Sequence, residues 1–212
     1  MGRARVRAAR RAPVLRAAVP LVGALGVLAI TALAVAVPSG RPPGLAPAGT
    51  VPVVAAENFW GSIVTQVGGD RVSVTSIITN PNADPHAYEP TPADARAIAS
   101  ARLVVVNGIG YDPWAAKLVA ADAGTSTVLD VGSLLGLRAG ANPHRWYDPA
   151  DVRRVVAAVA ADLGRLDPAG ASYFRRGARR FLTVALAPYD ALVREIRSRY
   201  AGTPVGASES IF

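Results

Sequence analysis

From Val51 onward the apolar residues follow two rhythms, one that suits strands and one that suits helices. Val51 to Ala56 is a short, apolar, β-prone run. Phe59, Trp60, Ile63, Val64 and Val67 then recur at spacings of three and four, which predicts a helix over 57–67 ending at Gly68 and Gly69. Arg71 to Thr79 alternates and is rich in β-branched residues (Val72, Val74, Thr75, Ile77, Ile78), the pattern of a strand. Thr91, Pro92 and Asp94 supply an N-cap, a proline at the first helical position and a first-turn acid for a helix reaching about Ala101. Leu103 to Val106 is apolar throughout, as expected of a strand covered on both faces. After a turn at 107–111, Asp112 and Pro113 restart a helix towards Gly124, and Thr125 to Val131 reads as a further strand. Asp148 and Pro149 open an amphipathic helix. Its Val152, Val155, Val156, Val159, Leu163 and Leu166 face the core, and Arg153, Arg154, Asp162 and Arg165 face solvent.

Helical spacing resumes after Asp167 and Pro168 and continues through Phe174, Ala178, Phe181, Leu182, Ala185, Tyr189, Leu192, Val193, Ile196 and Tyr200. An interior proline costs about 3 kcal/mol and one ladder bond, so Pro188 implies a bend or two separate helices. Thr203 to Ala207 has the look of a new strand, closely followed by Glu209 and the last residue, Phe212. Strands alternating with helices predict an α/β fold with a mostly parallel sheet flanked by helices.

Charge changes the picture at one end only. The formal net charge is +8, but seven of the 23 Lys and Arg precede Glu57, the first acid, and the remaining 16 oppose 15 Asp and Glu. A nearly neutral body does not suggest a nucleic-acid surface. The basic start runs into Ala17 to Val37, which contains no charged residue. This is the pattern of an export signal, and the run is long enough to span a bilayer at about 20 residues. Residues 1–37 therefore read as a signal peptide or N-terminal membrane anchor, with a small-x-small cleavage site at Ala34-Val35-Ala36, and 38–50 as a Pro, Gly and Ala-rich linker. The chain has no cysteine, so disulfides and lipid attachment at cysteine are excluded, and any tether falls to the apolar segment. The expected location is the extracytoplasmic face of the cell membrane.

The candidate chemistry lies in two loops that echo each other. Asp84-Pro85-His86-Ala87-Tyr88-Glu89-Pro90 and Asn142-Pro143-His144-Arg145-Trp146-Tyr147-Asp148-Pro149 each run Asp or Asn, Pro, His, then an aromatic two residues on, with an acid and Pro after it. They hold the only two histidines of the chain. Proline fixes its own φ and restricts its neighbour, so each imidazole sits on a backbone with few conformers to lose on binding. In parallel sheets ligands bind at the carboxyl ends of strands, and His86, His144 and Glu209 each follow one. Two imidazoles and a carboxylate suit Zn²⁺ or Mn²⁺. Glu57 and Asn58 occupy a similar position after the first strand but read as cap and first-turn acid of their helix. A hydrolytic use of the same residues, with Glu89 as base, is the reading from another class; it lacks a recognisable nucleophile or oxyanion feature.

These two loops, with the Thr91-Pro92 helix start, the strand Leu103 to Val106 running into Asn107-Gly108, and the long helix, resemble the substrate-binding proteins of zinc and manganese ABC transporters from about Val51 to Phe212. The resemblance implies two α/β lobes joined by a long helix, with the metal between them. Residues 51–167 would be the first, metal-binding lobe, 168–201 the spanning helix, and 202–212 the start of an incomplete second lobe. It also implies that His86 and His144 are ligands, that Glu209 stands where a third is expected, and that a fourth has no counterpart here. The implied role is non-enzymatic: a monomer that captures zinc or manganese and delivers it to an ABC permease. A truncated, non-functional product is the other outcome this reading leaves open.

Overall fold

The computed structural model describes residues 49–206 apart from Ala123 and Thr125. The expected signal or anchor at 1–37, nearly all of the linker, and Glu209 lie outside the described residues.

Four strands form one parallel sheet in the order β2-β1-β3-β4: β1 Val51–Glu57, β2 Val72–Ile78, β3 Leu103–Val106 and β4 Thr127–Asp130. The fold is α/β. Register pairs Val53 of β1 with Val74 on one side and Leu103 on the other, and Val105 of β3 with Leu129 of β4. Successive strand residues point to opposite faces. Accordingly Val51, Val53, Ala55, Leu103, Val105 and Leu129 enter one core while Val54, Ala56, Val104 and Val106 enter another. The first core is closed by helices α1 (Asn58–Gly68), α4 (Val131–Leu135), α5 (Pro149–Leu166) and α6 (Ala171–Arg180), the second by α2 (Pro92–Ser100) and α3 (Pro113–Ala121). Cover on both faces is why the central strands carry apolar runs without alternation.

The predicted starts of these helices are seen in detail at two places. Thr91 and Asp94 make a reciprocal capping box on α2, and the Asp148 carboxylate accepts from Ala150 N at 2.8 Å on α5. The strand expected over 125–131 ends at Asp130, and the connection expected after it opens with α4 from Val131, whose Asp130 cap accepts from Ser133 N at 2.7 Å. Asp162, expected to face solvent, is buried and ion-paired with Arg165. It lies on the same helix face as Val155 and Val159, so the charge is tolerated there only because Arg165 reaches it from the next turn.

The expected long helix is two helices, α6 and α7 (Ala187–Tyr200), joined by a π-helical turn at Phe181–Ala185. Leu186 N donates to Phe181 O at 2.9 Å, so the ladder has already widened when Pro188 arrives in the first turn of α7, where its missing N–H costs little. α6 packs against α1 and α5 on the first core. Phe174 is fully buried, and at Gly177 a Cβ would strike the Val67 carbonyl of α1. Residues 203–206, expected as a strand, form none. Val205 is 80% exposed, and a strand without a neighbour has no ladder to join.

Tyr189, Leu192, Ile196 and Tyr200 of α7 are exposed. The helix is tied to the rest at its beginning by the Arg153–Asp190 ion pair and by Tyr189 Oη donating to Tyr147 O at 2.7 Å. An ion pair this open contributes about 0–1 kcal/mol. Amide exchange in α7 should therefore be fast beyond Asp190 and slow in α5 and α6, which hydrogen-exchange mass spectrometry would read directly. Uniform protection from Ala171 to Tyr200 would contradict this account.

Candidate metal centre

The loops at the carboxyl ends of β2, β3 and β4 meet around one ring. Tyr111, in the loop between β3 and α3, lies 5.0 Å from the His86 ring and 6.0 Å from the His144 ring, centroid to centroid, edge-to-face with both. Both sequence-predicted histidines thus pack against one residue, Tyr111, that the sequence reading had left in a turn.

Both histidines are held by the same local device. The side chain of the residue two before each one accepts from its backbone N–H: Asp84 Oδ1 from His86 N at 2.9 Å, and Asn142 Oδ1 from His144 N at 3.0 Å. The Asp/Asn-Pro-His pattern therefore encodes a side-chain turn as well as a stiff backbone. The rings are oriented too. His86 Nδ1 sits 3.1 Å from the Gly110 carbonyl, which can only accept. His144 Nδ1 sits 2.9 Å from Asn142 Oδ1, the atom already fixed as an acceptor by His144 N–H. Each Nδ1 must carry the proton, which leaves the lone pair on Nε2. That is the arrangement outer-shell partners impose on metal-ligating imidazoles.

Further contacts fix the loops. Trp146 stacks on Phe59 of α1 at 3.9 Å between centroids, and Arg145 Nε donates to Asp151 of α5 at 2.6 Å. On the other side Tyr88 Oη donates to Asp94 at 3.0 Å and its ring packs against Trp114. Asn107, almost fully buried, ties α1 to the His144 loop. Its Oδ1 accepts from Trp60 Nε1 at 3.0 Å and its Nδ2 donates to the Pro143 carbonyl at 3.2 Å, one residue before His144. Asn107 was legible only as half of an Asn-Gly turn.

Two acids behave differently from the sequence expectation. Asp112 stands at the N-cap of α3 but does not cap it. Its carboxylate turns back to accept from Asn107 N at 2.7 Å and Gly108 N at 2.8 Å. Burial pushes its pKa up, against these two donors. Glu57 occupies the N-cap of α1 without a side-chain cap bond, and it is 1% exposed. As the last residue of the central strand it is carried into the interior rather than to the helix surface. Burial first, and the neighbouring Asp112 second, push its pKa up to about 10. Glu89, the base of the hydrolytic reading, is exposed. Among the described residues no group of three or more His, Cys, Asp or Glu could hold a metal ion.

The family described as zinc-uptake complex component A periplasmic matches residues 53–212. The chain belongs to this family. It is 32% identical to the manganese-binding lipoprotein MntA of Halalkalibacterium halodurans over 134 residues, covering 61% of this chain and 44% of that protein. With the iron-binding protein YfeA of Yersinia pestis it shares 32% identity over 154 residues, 69% of this chain and 49% of that one. Its fold is similar to zinc(II)-bound AdcA from Streptococcus pneumoniae, with a TM-score of 0.61 and 21% identity, covering 71% of this chain and 33% of AdcA. The chain thus spans about half the length of the relatives it matches.

Glu57 gives a pH-dependent prediction. A carboxyl that ionises near 4.5 when unfolded and near 10 when folded keeps its proton in the fold while the unfolded chain releases it. The group therefore opposes folding increasingly as pH rises through that window, by up to about 1.4 kcal/mol per unit. Glu57→Gln removes the titration. Its melting temperature should exceed the parent's at pH 8, by less at pH 6, and converge with it below pH 4.5. A pH-independent difference between the two melting curves would show that Glu57 is ionised in the fold.

Proposed function

We propose that this chain acts as an extracytoplasmic substrate-binding protein, which captures a divalent transition metal, zinc or manganese, and delivers it to an ABC permease. His86 and His144 bind the metal through Nε2, and Glu209 contributes a carboxylate. The observation that carries the reading is the pair of matching turns whose Nδ1 protons are both taken by carbonyl-type oxygens, with both rings packed against Tyr111. It is supported by membership of a metal-uptake family and by relatives named for binding manganese and iron. Two nitrogens and one oxygen are a borderline donor set: the nitrogens favour zinc, and the carboxylate is the oxygen donor that suits manganese. The family is one of binding proteins, so the chain works by capture and release, with no reaction. In this reading it is a monomer, with the apolar segment at 17–37 serving for export or as the tether at the membrane.

Calorimetric titration of Zn²⁺ and Mn²⁺ into the full chain tests this. Loss of a ligand should exceed the roughly 10- to 100-fold cost of losing an outer-shell partner, so His86→Ala and His144→Ala should each weaken binding by about 100-fold or more. Glu209→Ala should cost less than either. Affinity should also fall on acidification, because a ligating imidazole must be neutral. Unchanged affinity in His86→Ala or His144→Ala would refute the ligand assignment.

A further inference from the structure

Glu57 is the most anomalous polar group among the described residues. Both of its carboxyl oxygens are buried without a hydrogen-bond partner, and it lies against a second acid, Asp112. Two carboxylates have no proton between them; with one proton on Glu57 the contact becomes an O–H donated to Asp112. The consequence reaches the metal centre through the loop between β3 and α3. That loop is strained. Gly108, Ile109 and Gly110 have φ of +72°, +48° and +84°, and at Ile109 a β-branched side chain occupies the left-handed region. A residue held there costs about 1–3 kcal/mol and persists only where its surroundings over-determine it. Here the Asp112 carboxylate holds the first two loop amides, Asn107 N and Gly108 N, while Gly132 N donates to Asn107 O at 3.0 Å. At Gly108 itself a Cβ would meet the Asp130 carboxylate. The same loop then presents Gly110 O to His86 Nδ1 and Asn107 Nδ2 to the carbonyl before His144.

We propose that Glu57 is a positioning residue of the metal centre: a buried, neutral hydrogen-bond donor that, through Asp112, fixes the strained loop 107–112 and with it the orientation of both histidine rings. It is neither a ligand nor a buried anion attracting the cation. The inference rests on the functional reading above for its purpose, but its test does not need metal. With only two histidines in the chain, the imidazole ¹⁵N signals of His86 and His144 can be followed individually in the metal-free full-length protein.

Glu57→Leu, which keeps bulk and removes the donor, should shift or broaden both sets of ring signals and weaken Zn²⁺ binding by roughly 10-fold or more, the scale of an outer-shell loss. Glu57→Gln, whose amide can donate to Asp112, should restore the ring signals and the affinity to near parental values. Val159→Ala, a cavity in the α5 side of the core, is the control for destabilisation alone and should lower the melting temperature without moving the rings. Should Glu57→Leu fail to fold, Asp112→Asn decides, since its amide group can no longer accept from both loop N–H groups, and both ring signals should move. Ring signals unmoved in the informative variant would overturn the proposal. So would Glu57→Gln shifting them as far as Glu57→Leu, because the charge rather than the donor would then be what matters. A parent that binds no zinc would refute the ligand assignment alone, with the ring signals still deciding the role of Glu57.

Discussion

A parallel sheet buried on both faces brings the carboxyl end of every strand to one edge, and the rest of this molecule follows from that constraint. β1, between β2 and β3, leaves no solvent-facing side for polar residues, so the helices must cover both surfaces and the chain must return across the sheet after each strand. The loops that emerge at the carboxyl edge are the only segments free to carry polar chemistry toward a shared space. His86 leaves after β2, Tyr111 after β3 and His144 after β4, and the three rings meet although they are far apart in sequence.

Most of this was legible because the signals were local. Pro after Thr91 and after Asp148 marks a helix start with its cap in place, and the run Leu103 to Val106 marks a strand covered on both sides. The two histidine loops were legible for the same reason: the Asp or Asn and the Pro that hold each histidine's backbone are its immediate neighbours in sequence. Glu209, predicted from the same logic of strand ends, lies outside the described residues.

What escaped the sequence depends on partners distant in the chain. Asn107 contacts Trp60 and Pro143, 47 and 36 residues away, and nothing beside it announces either contact. Glu57 and Asp112 each sit at a helix N-cap, where an acid is ordinarily explained by the helix, and both turn away from it into the interior. Asp162 misled in the same manner, since one acid in an apolar stripe looks like the edge of the solvated face until Arg165 is found to reach it. At α7 the periodicity was read correctly as helical, yet period alone does not say which stripe is covered. Leu192 and Ile196 keep the spacing of a core face and remain half-exposed.

The site also shows where the fold directs its stability. Ile109 in the left-handed region and a buried pair of carboxyls are each unfavourable by themselves, and both lie in or against the loop that the two histidine loops lean on. Unfavourable local geometry survives only where neighbouring contacts hold it, and here those contacts come from β1, α1, α4 and the His144 loop. In the proposed function the benefit would fall on binding. A mobile side chain loses roughly 0.5–1.5 kcal/mol of conformational freedom when a ligand immobilises it, and a ring already fixed by its Nδ1 bond and by Tyr111 loses much less. In the proposed reading, strain in the loop is borne once, in folding, so that the two imidazoles on separate loops would not have to be ordered again on binding a cation.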